Sequence, residues 1–283
     1  MDATARFNEL ASKLLSVRVP GLSMAFMTVS LVLSILIPVG LLIFFKVKKK
    51  AKVKSFFIGA AIFIVFAMIV ESLMHRIILN TPVGMKITEN MWLYGLYGGF
   101  MAALFEEFGR FTAFKWILNK EHDNDGNALM YGAGHGGCEA ILVLGISMLN
   151  NLILSLTINA GATKATVDSL RILPAEQAVP ALESMVMLGE ASSFIFLLGL
   201  MERIFAMTSH IAMSVPVWFA VKNKKPALFF ISFGMHFLLD FGTVEVAQYL
   251  SDYAVEAIVG VISIIMVVIS VMVYRKEKNV EIA

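Results

Sequence analysis

The chain has 283 residues, of which 58% are hydrophobic and only 16% charged, with a formal net charge of +2. A soluble domain has about 45–50% apolar and about 25% charged residues, so these proportions exclude an ordinary soluble globule and point to an all-α, polytopic membrane protein. The single cysteine, Cys138, excludes an internal disulfide framework. The lysines are clustered, so the net charge says little about partners; the lipid bilayer is the expected surroundings, with no nucleic acid.

In chain order, residues 1–21 set Asp2, Arg6, Glu9, Lys13 and Arg18 among apolar positions and read as an amphipathic segment rather than a signal peptide. A spanning helix needs about 20 mostly apolar residues. Seven runs meet this: residues 22–45, 56–79, 91–117, 128–158, 187–221, 227–250 and 254–274. Residues 22–274 are therefore expected to form one membrane domain, followed by a tail at 275–283. The fourth and fifth runs exceed the needed length, which implies tilt, a kink at glycine or a start at the interface, with residues 190–193 as a turn before the fifth span. The non-apolar stretch 159–183, with Pro174 and Pro180, is expected to be an external loop.

Orientation follows from lysine and arginine near the span ends. Seven spans put fourteen of these residues on one side, including Lys46–Lys54 and Lys222–Lys225, against six on the other. This predicts a multi-pass cell-membrane protein with its N-terminus outside and its C-terminus in the cytoplasm.

Ionisable groups stand where such spans should hold only hydrocarbon. Each costs at least about 2.5–3.5 kcal/mol near the bilayer centre, so they need a solvated pocket or partners on other helices. At about 1.5 Å rise per residue, Glu106, Glu139, His210 and His236 all fall roughly 14–16 Å below the lysine-rich surface, and His135 about 10 Å. Glu106 and Arg110, His135 and Glu139, and His236 and Asp240 are each four residues apart, placing each pair on one helix face. Glu107 points about 100° away from Glu106, so one glutamate faces a pocket while the other meets a neighbour. Gly109, Gly132, Gly134, Gly136, Gly137 and Gly234 flank these pairs, where small residues allow close helix approach.

This chemistry suits water activation: a buried carboxylate as general base, Arg110 holding its neighbour ionised, and histidines polarising a carbonyl or ligating a metal. His210, His236, Glu139 and Glu107 are the side chains that could bind Zn²⁺, and a metal-free site stays equally open. His-Glu-x-x-His is missing from the sequence.

Glu106-Glu107-x-x-Arg110, Gly134-His135-Gly136-Gly137-x-Glu139-Ala140, the lone His210 and His236-x-x-x-Asp240 together resemble the YhfC family of intramembrane metalloproteases. That family lies within the superfamily of type II CAAX-prenyl proteases and bacteriocin-processing enzymes. The resemblance implies hydrolysis of peptide bonds in membrane-associated substrates, by a metallo- or glutamic-type endopeptidase with a cytoplasm-facing cavity and its catalytic core in 91–250. It assigns Glu106, Glu107, Arg110, Glu139, His210 and His236 to catalysis, with His135, Asp240 and Arg203 orienting them. Relatives in the superfamily have three residues between the glutamates and the arginine, where this chain has two.

Other polar residues have plainer readings. Glu71, His75 and Arg76 pair locally near the end of the second span, Glu202 and Arg203 form a packing or orienting pair, His122 is a solvated loop residue, and Cys138 packs. A proton-coupled transporter and a silent scaffold are the competing functions. Proton transport would need polarity along the full membrane depth, whereas the outer halves of spans three to six are nearly free of charge.

Overall fold

The computed structural model describes residues 3–279 and is helical, with no strand among the described residues. Met1 and Asp2 of the amphipathic segment, and residues 280–283 of the tail, lie outside the described residues. We number the helices α1 (Ala3–Ser16), α2 (Gly21–Lys49), α3 (Val53–Leu79), α4 (Pro82–Thr88), α5 (Met91–Thr112), α6 (Gly126–Asn159), α7 (Thr163–Leu170), α8 (Ala175–Glu190), α9 (Ile195–Lys222), α10 (Pro226–Ala247) and α11 (Asp252–Glu277).

Six of these, α2, α3, α6, α9, α10 and α11, are long and apolar enough to cross a membrane. The seventh expected span is α5, whose 22 residues have the length but include Glu106, Glu107 and Arg110. Its start is fixed by Asn90, whose side chain accepts from the Leu93 amide at 3.1 Å. Pro226 opens α10, where the missing N–H costs nothing.

One expectation is corrected. Residues 159–183 are not a loop but carry α7 and the first part of α8. Their polar composition reflects amphipathic surface helices, with Val167, Ala178 and Leu182 buried. The turn expected at residues 190–193 is present: α8 ends at Glu190 and α9 starts at Ile195.

The chain forms two compact units, residues 1–33 with 142–200, and residues 34–141 with 201–283. In the first, α1 buries Phe7, Leu10, Ala11 and Leu14 and packs along α8. Arg6 pairs with Glu183 at 2.9 Å and Lys13 with Glu190 at 2.8 Å.

The second unit holds every residue of the candidate site. Here α3 packs along the first half of α6, and α5 along α10. The glycines of α6 make this possible by steric necessity. A Cβ on Gly132 would stand 2.5 Å from Ile211 Cα, and one on Gly134 would overlap the Phe56 backbone, so α6 lies backbone to backbone against both α9 and α3. Gly234, expected to play a similar part, faces open space. The backbone widens into π-helical turns at Phe63–Glu71 of α3, at Ala113–Ile117 just after α5 and at Ala140–Gly145 just after Glu139. Such turns re-aim side chains and often occur at functional sites.

Candidate active site

Helices α5, α6, α9 and α10 each turn a site residue toward one point, so the depth match read from the sequence becomes a set of contacts. The centre is one oxygen, Glu106 Oε2. His135 Nε2 lies 2.8 Å from it, His210 Nδ1 3.8 Å and His236 Nε2 3.9 Å. The His135 and His210 rings lie 4.7 Å apart, centre to centre.

The adjacent glutamate has a different environment. Glu107 is completely buried, receives Arg110 Nη1 and Ser232 Oγ (2.7 Å) and sits 2.9 Å from His236 Nδ1. Its oxygens are therefore fully occupied. Arg110, also completely buried, donates through Nη2 to His210 Nδ1 at 3.1 Å. A guanidinium only donates, so Nδ1 of His210 presents a lone pair and the ring proton sits on Nε2. That nitrogen lies 2.8 Å from Glu139 Oε2, while Arg203 Nη1 donates to Glu139 Oε1 at 2.5 Å. Arg203 also contacts Glu202. Asp240 Oδ2 stands 3.4 Å from His236 Nε2.

All nine residues singled out from the sequence are brought together. One expectation changes. The set expected to hold a metal was His210, His236, Glu139 and Glu107. The donors that converge are instead Glu106, His135 and His210, whose ligand atoms all lie within 4.8 Å of one another. Glu107 is consumed by Arg110, Ser232 and His236, whereas Arg203 takes only Oε1 of Glu139 and leaves Oε2 facing His210 Nε2 at 2.8 Å. The trio suits a metal in kind, since two imidazoles and a carboxylate form a three-ligand Zn²⁺ set that leaves one position for water, and His210 Nδ1 would join it only by giving up its bond from Arg110 Nη2. It also suits one in spacing: donors about 2.0–2.1 Å from a shared tetrahedral ion stand about 3.3 Å apart, and the 2.8 and 3.8 Å separations straddle that value. His135 keeps a buried Nδ1 with no partner.

A cavity of about 290 Å³ is lined by Glu106, Glu139, Arg203, His210, His236 and Asp240, and continues along Thr243 and Val244. On α9 it follows residues before His210, and on α10 residues after His236. Both directions lead away from the lysine-rich ends of α9 and α10. There Phe114, Tyr131, Trp218 and Phe219 are completely buried, and Asp125 holds Trp218 Nε1 at 2.8 Å and Lys222 Nζ at 2.5 Å. His122 belongs to this closure, its ring 4.6 Å from that of Trp218, and is not a solvated loop residue.

Sequence reasoning missed Ser232, since a serine in an apolar helix carries no distinguishing pattern. It set aside Glu71 and His75, which contact each other at 3.2 Å, with His75 Nδ1 2.9 Å from Tyr97 Oη. His75 and Tyr97 line a second cavity that shares Asp240 and Val244 with the first. The four-residue spacing of Glu71 and His75 was the available signal.

A family model described as YhfC intramembrane metalloprotease matches residues 33–265. An uncharacterised membrane protein, YhfC, of Bacillus subtilis (strain 168) is 33% identical over 249 residues, covering 87% of this chain and 94% of the relative. No solved structure matches.

Proposed function

Because the chain belongs to the YhfC intramembrane metalloprotease family, we propose that this multi-pass membrane protein cleaves peptide bonds of membrane-associated peptides or proteins within the bilayer. The observation that carries the proposal is the meeting of three histidine nitrogens from three helices around Glu106 Oε2, at the wall of a polar cavity. A divalent ion such as Zn²⁺ would be held by Glu106, His135 and His210, and when bound supplies Lewis acidity toward a water and a carbonyl.

The chain's own groups divide the remaining work. Glu106 lines the cavity and takes the proton of the attacking water, while Glu107, out of reach behind it, anchors His236 and Arg110. His236, gripped at Nδ1, turns Nε2 toward the cavity and donates to the carbonyl oxygen as it gains negative charge. Asp240 holds the proton on that nitrogen. Arg203 fixes Glu139 beside His210. Under the lysine asymmetry the N-terminus is outside, and the cavity then opens toward the outer half of the membrane rather than the cytoplasmic half.

The test is purified wild type and Glu106→Gln in liposomes with a panel of membrane-spanning peptides, before and after chelation and Zn²⁺ return. Cleavage by wild type, lost in the variant and on chelation and restored by Zn²⁺, is expected. A folded wild type that cleaves nothing across the panel would sink the proposal. The Glu71–His75–Tyr97 group beside Asp240 favours one second reading, proton translocation, because it carries polarity outward from the site. The closed aromatic end opposes that reading, and proton flux in the same liposomes decides it.

A further inference from the structure

A second concavity, remote from the Glu106 cluster, opens between α2, α6, α9 and α11. Its volume is about 370 Å³, and apart from Thr208, Ser270 and Tyr274 its walls are aliphatic, including Leu129, Ile211, Val215 and Val267. Three cations, Lys49, Arg275 and Lys278, stand at its lysine-rich end. All three are exposed, and none makes a side-chain ion pair or hydrogen bond among the described residues. Their neighbours behave differently, because Lys222 is spent on Asp125 and Lys225 on Glu277.

The dimensions narrow the occupant. On α11 the groove runs from Lys278 to Val267, eleven residues and a rise of about 16 Å. That is about half of a hydrocarbon core roughly 30 Å thick, so the groove spans one leaflet. An extended peptide would leave its backbone N–H and C=O groups facing aliphatic walls, which is costly in hydrocarbon, and a helix about 10 Å across is too wide for a volume of about 370 Å³. An acyl chain has no such groups to satisfy. Basic pockets between helices at a membrane face match acidic headgroups, and each nearby cation contributes to the attraction.

We propose that this groove binds one anionic phospholipid of the adjoining leaflet, its headgroup on Lys49, Arg275 and Lys278 and an acyl chain along Ile211, Val215 and Val267. The lipid stabilises the folded protein by mass action, since the unfolded chain has no groove.

The experiment exposes the purified full-length protein to equal amounts of phosphatidylglycerol and phosphatidylcholine. It reads retained lipid by native mass spectrometry and melting temperature in the same detergent. The expected result is one phosphatidylglycerol retained at least about tenfold over phosphatidylcholine, at about fivefold per cation, with a raised melting temperature. Lys49→Gln/Arg275→Gln/Lys278→Gln should abolish the preference, and Val271→Trp, placed to fill the groove from its exposed rim, should abolish retention of either lipid. Lys46→Gln/Lys48→Gln, which removes two cations of the same face outside the groove, should leave both readings unchanged. Equal retention of the two lipids by wild type would overturn the proposal. So would loss of preference in the control variant equal to that in the triple variant, or full retention by Val271→Trp. Each reading is independent of peptide cleavage.

Discussion

The two ends of α9 and α10 are built on opposite principles. Toward the lysine-rich face the surrounding side chains interlock, with Phe114, Tyr131, Trp218 and Phe219 excluded from solvent. Toward the other face the same helices part around Glu139, Arg203 and Asp240. Hydropathy does not distinguish these ends, since both lie within apolar spans. What separates them is side-chain volume and the polar groups that large rings cannot accommodate. A site for water chemistry inside lipid needs both ends, one admitting water and the other stopping it.

The largest effect that would sharpen this contrast lies in the adjacent glutamates. Glu106→Gln should lower peptide cleavage by about 10²–10⁴-fold, the usual contribution of a general base, with little change in melting temperature. Glu107→Gln should instead cost about 3–5 kcal/mol of stability, because it leaves the buried Arg110 guanidinium without its counter-charge. Comparable loss of stability in both variants would erase the distinction between a reacting and an anchoring carboxylate.

Next in size, Trp218→Ala should cost about 3–5 kcal/mol through the cavity left in the closed end. Thr243→Ala at the open end should change stability by no more than about 0.5 kcal/mol. Chemical denaturation in detergent measures both, and equal losses would contradict the asymmetry. A third experiment reads access directly. In a Cys138→Ala background, Thr243→Cys should react with a water-soluble maleimide while Ser214→Cys, at a completely buried position, should not. Reaction at position 214 and protection at 243 would reverse the assignment of the open end.

The smallest effect is pH-dependent. Burial against Trp218 lowers the pKa of His122, and the positive charge of Lys222 adds to this against the opposing pull of Asp123 and Asp125. The folded state therefore binds this proton less readily than the unfolded chain. Below the unfolded value of about 6.5 the unfolded state takes up more protons, so stability falls on acidification and is recovered above that pH. His122→Gln should flatten the melting temperature between about pH 5 and 7 by removing this group. An unchanged slope would place the dependence elsewhere.

Much of this was legible in the sequence because a membrane restricts what a charged residue can mean. Glu106, Glu139, His210 and His236 could be placed at similar depth from rise per residue alone, with His135 shallower, and all five do meet. Depth, however, says nothing of rotation about the helix axis. Which glutamate faces the cavity, and whether His135 joins Glu106 or only lines a turn, depended on the approach of α6 to α3 and α9, which the glycines permit but do not orient. The closed end was illegible for a related reason: Trp218 and Phe114 look like ordinary apolar residues until they are found packed edge to face at the lysine-rich end. Polar surface helices such as α7 and α8 read as loop because only one narrow face of each is apolar.

The glycine contacts of α6 have a mechanical consequence. Backbones in van der Waals register cannot slide or rotate without collision, which locks α3, α6 and α9 into one block carrying His135, Glu139 and His210. Gly95 and Gly99 do the same for α5 and α10, where a Cβ on Gly99 would stand 2.8 Å from Phe241 N. That second block carries Glu106, Arg110 and His236. The short link from Lys222 to Pro226, the Ser232 bond to the Met213 carbonyl at 2.9 Å and the Glu106–His135 contact at 2.8 Å tie the two blocks together. The Glu106–His135 contact therefore spans two separately braced helix pairs, and a change in their spacing is felt first at that bond.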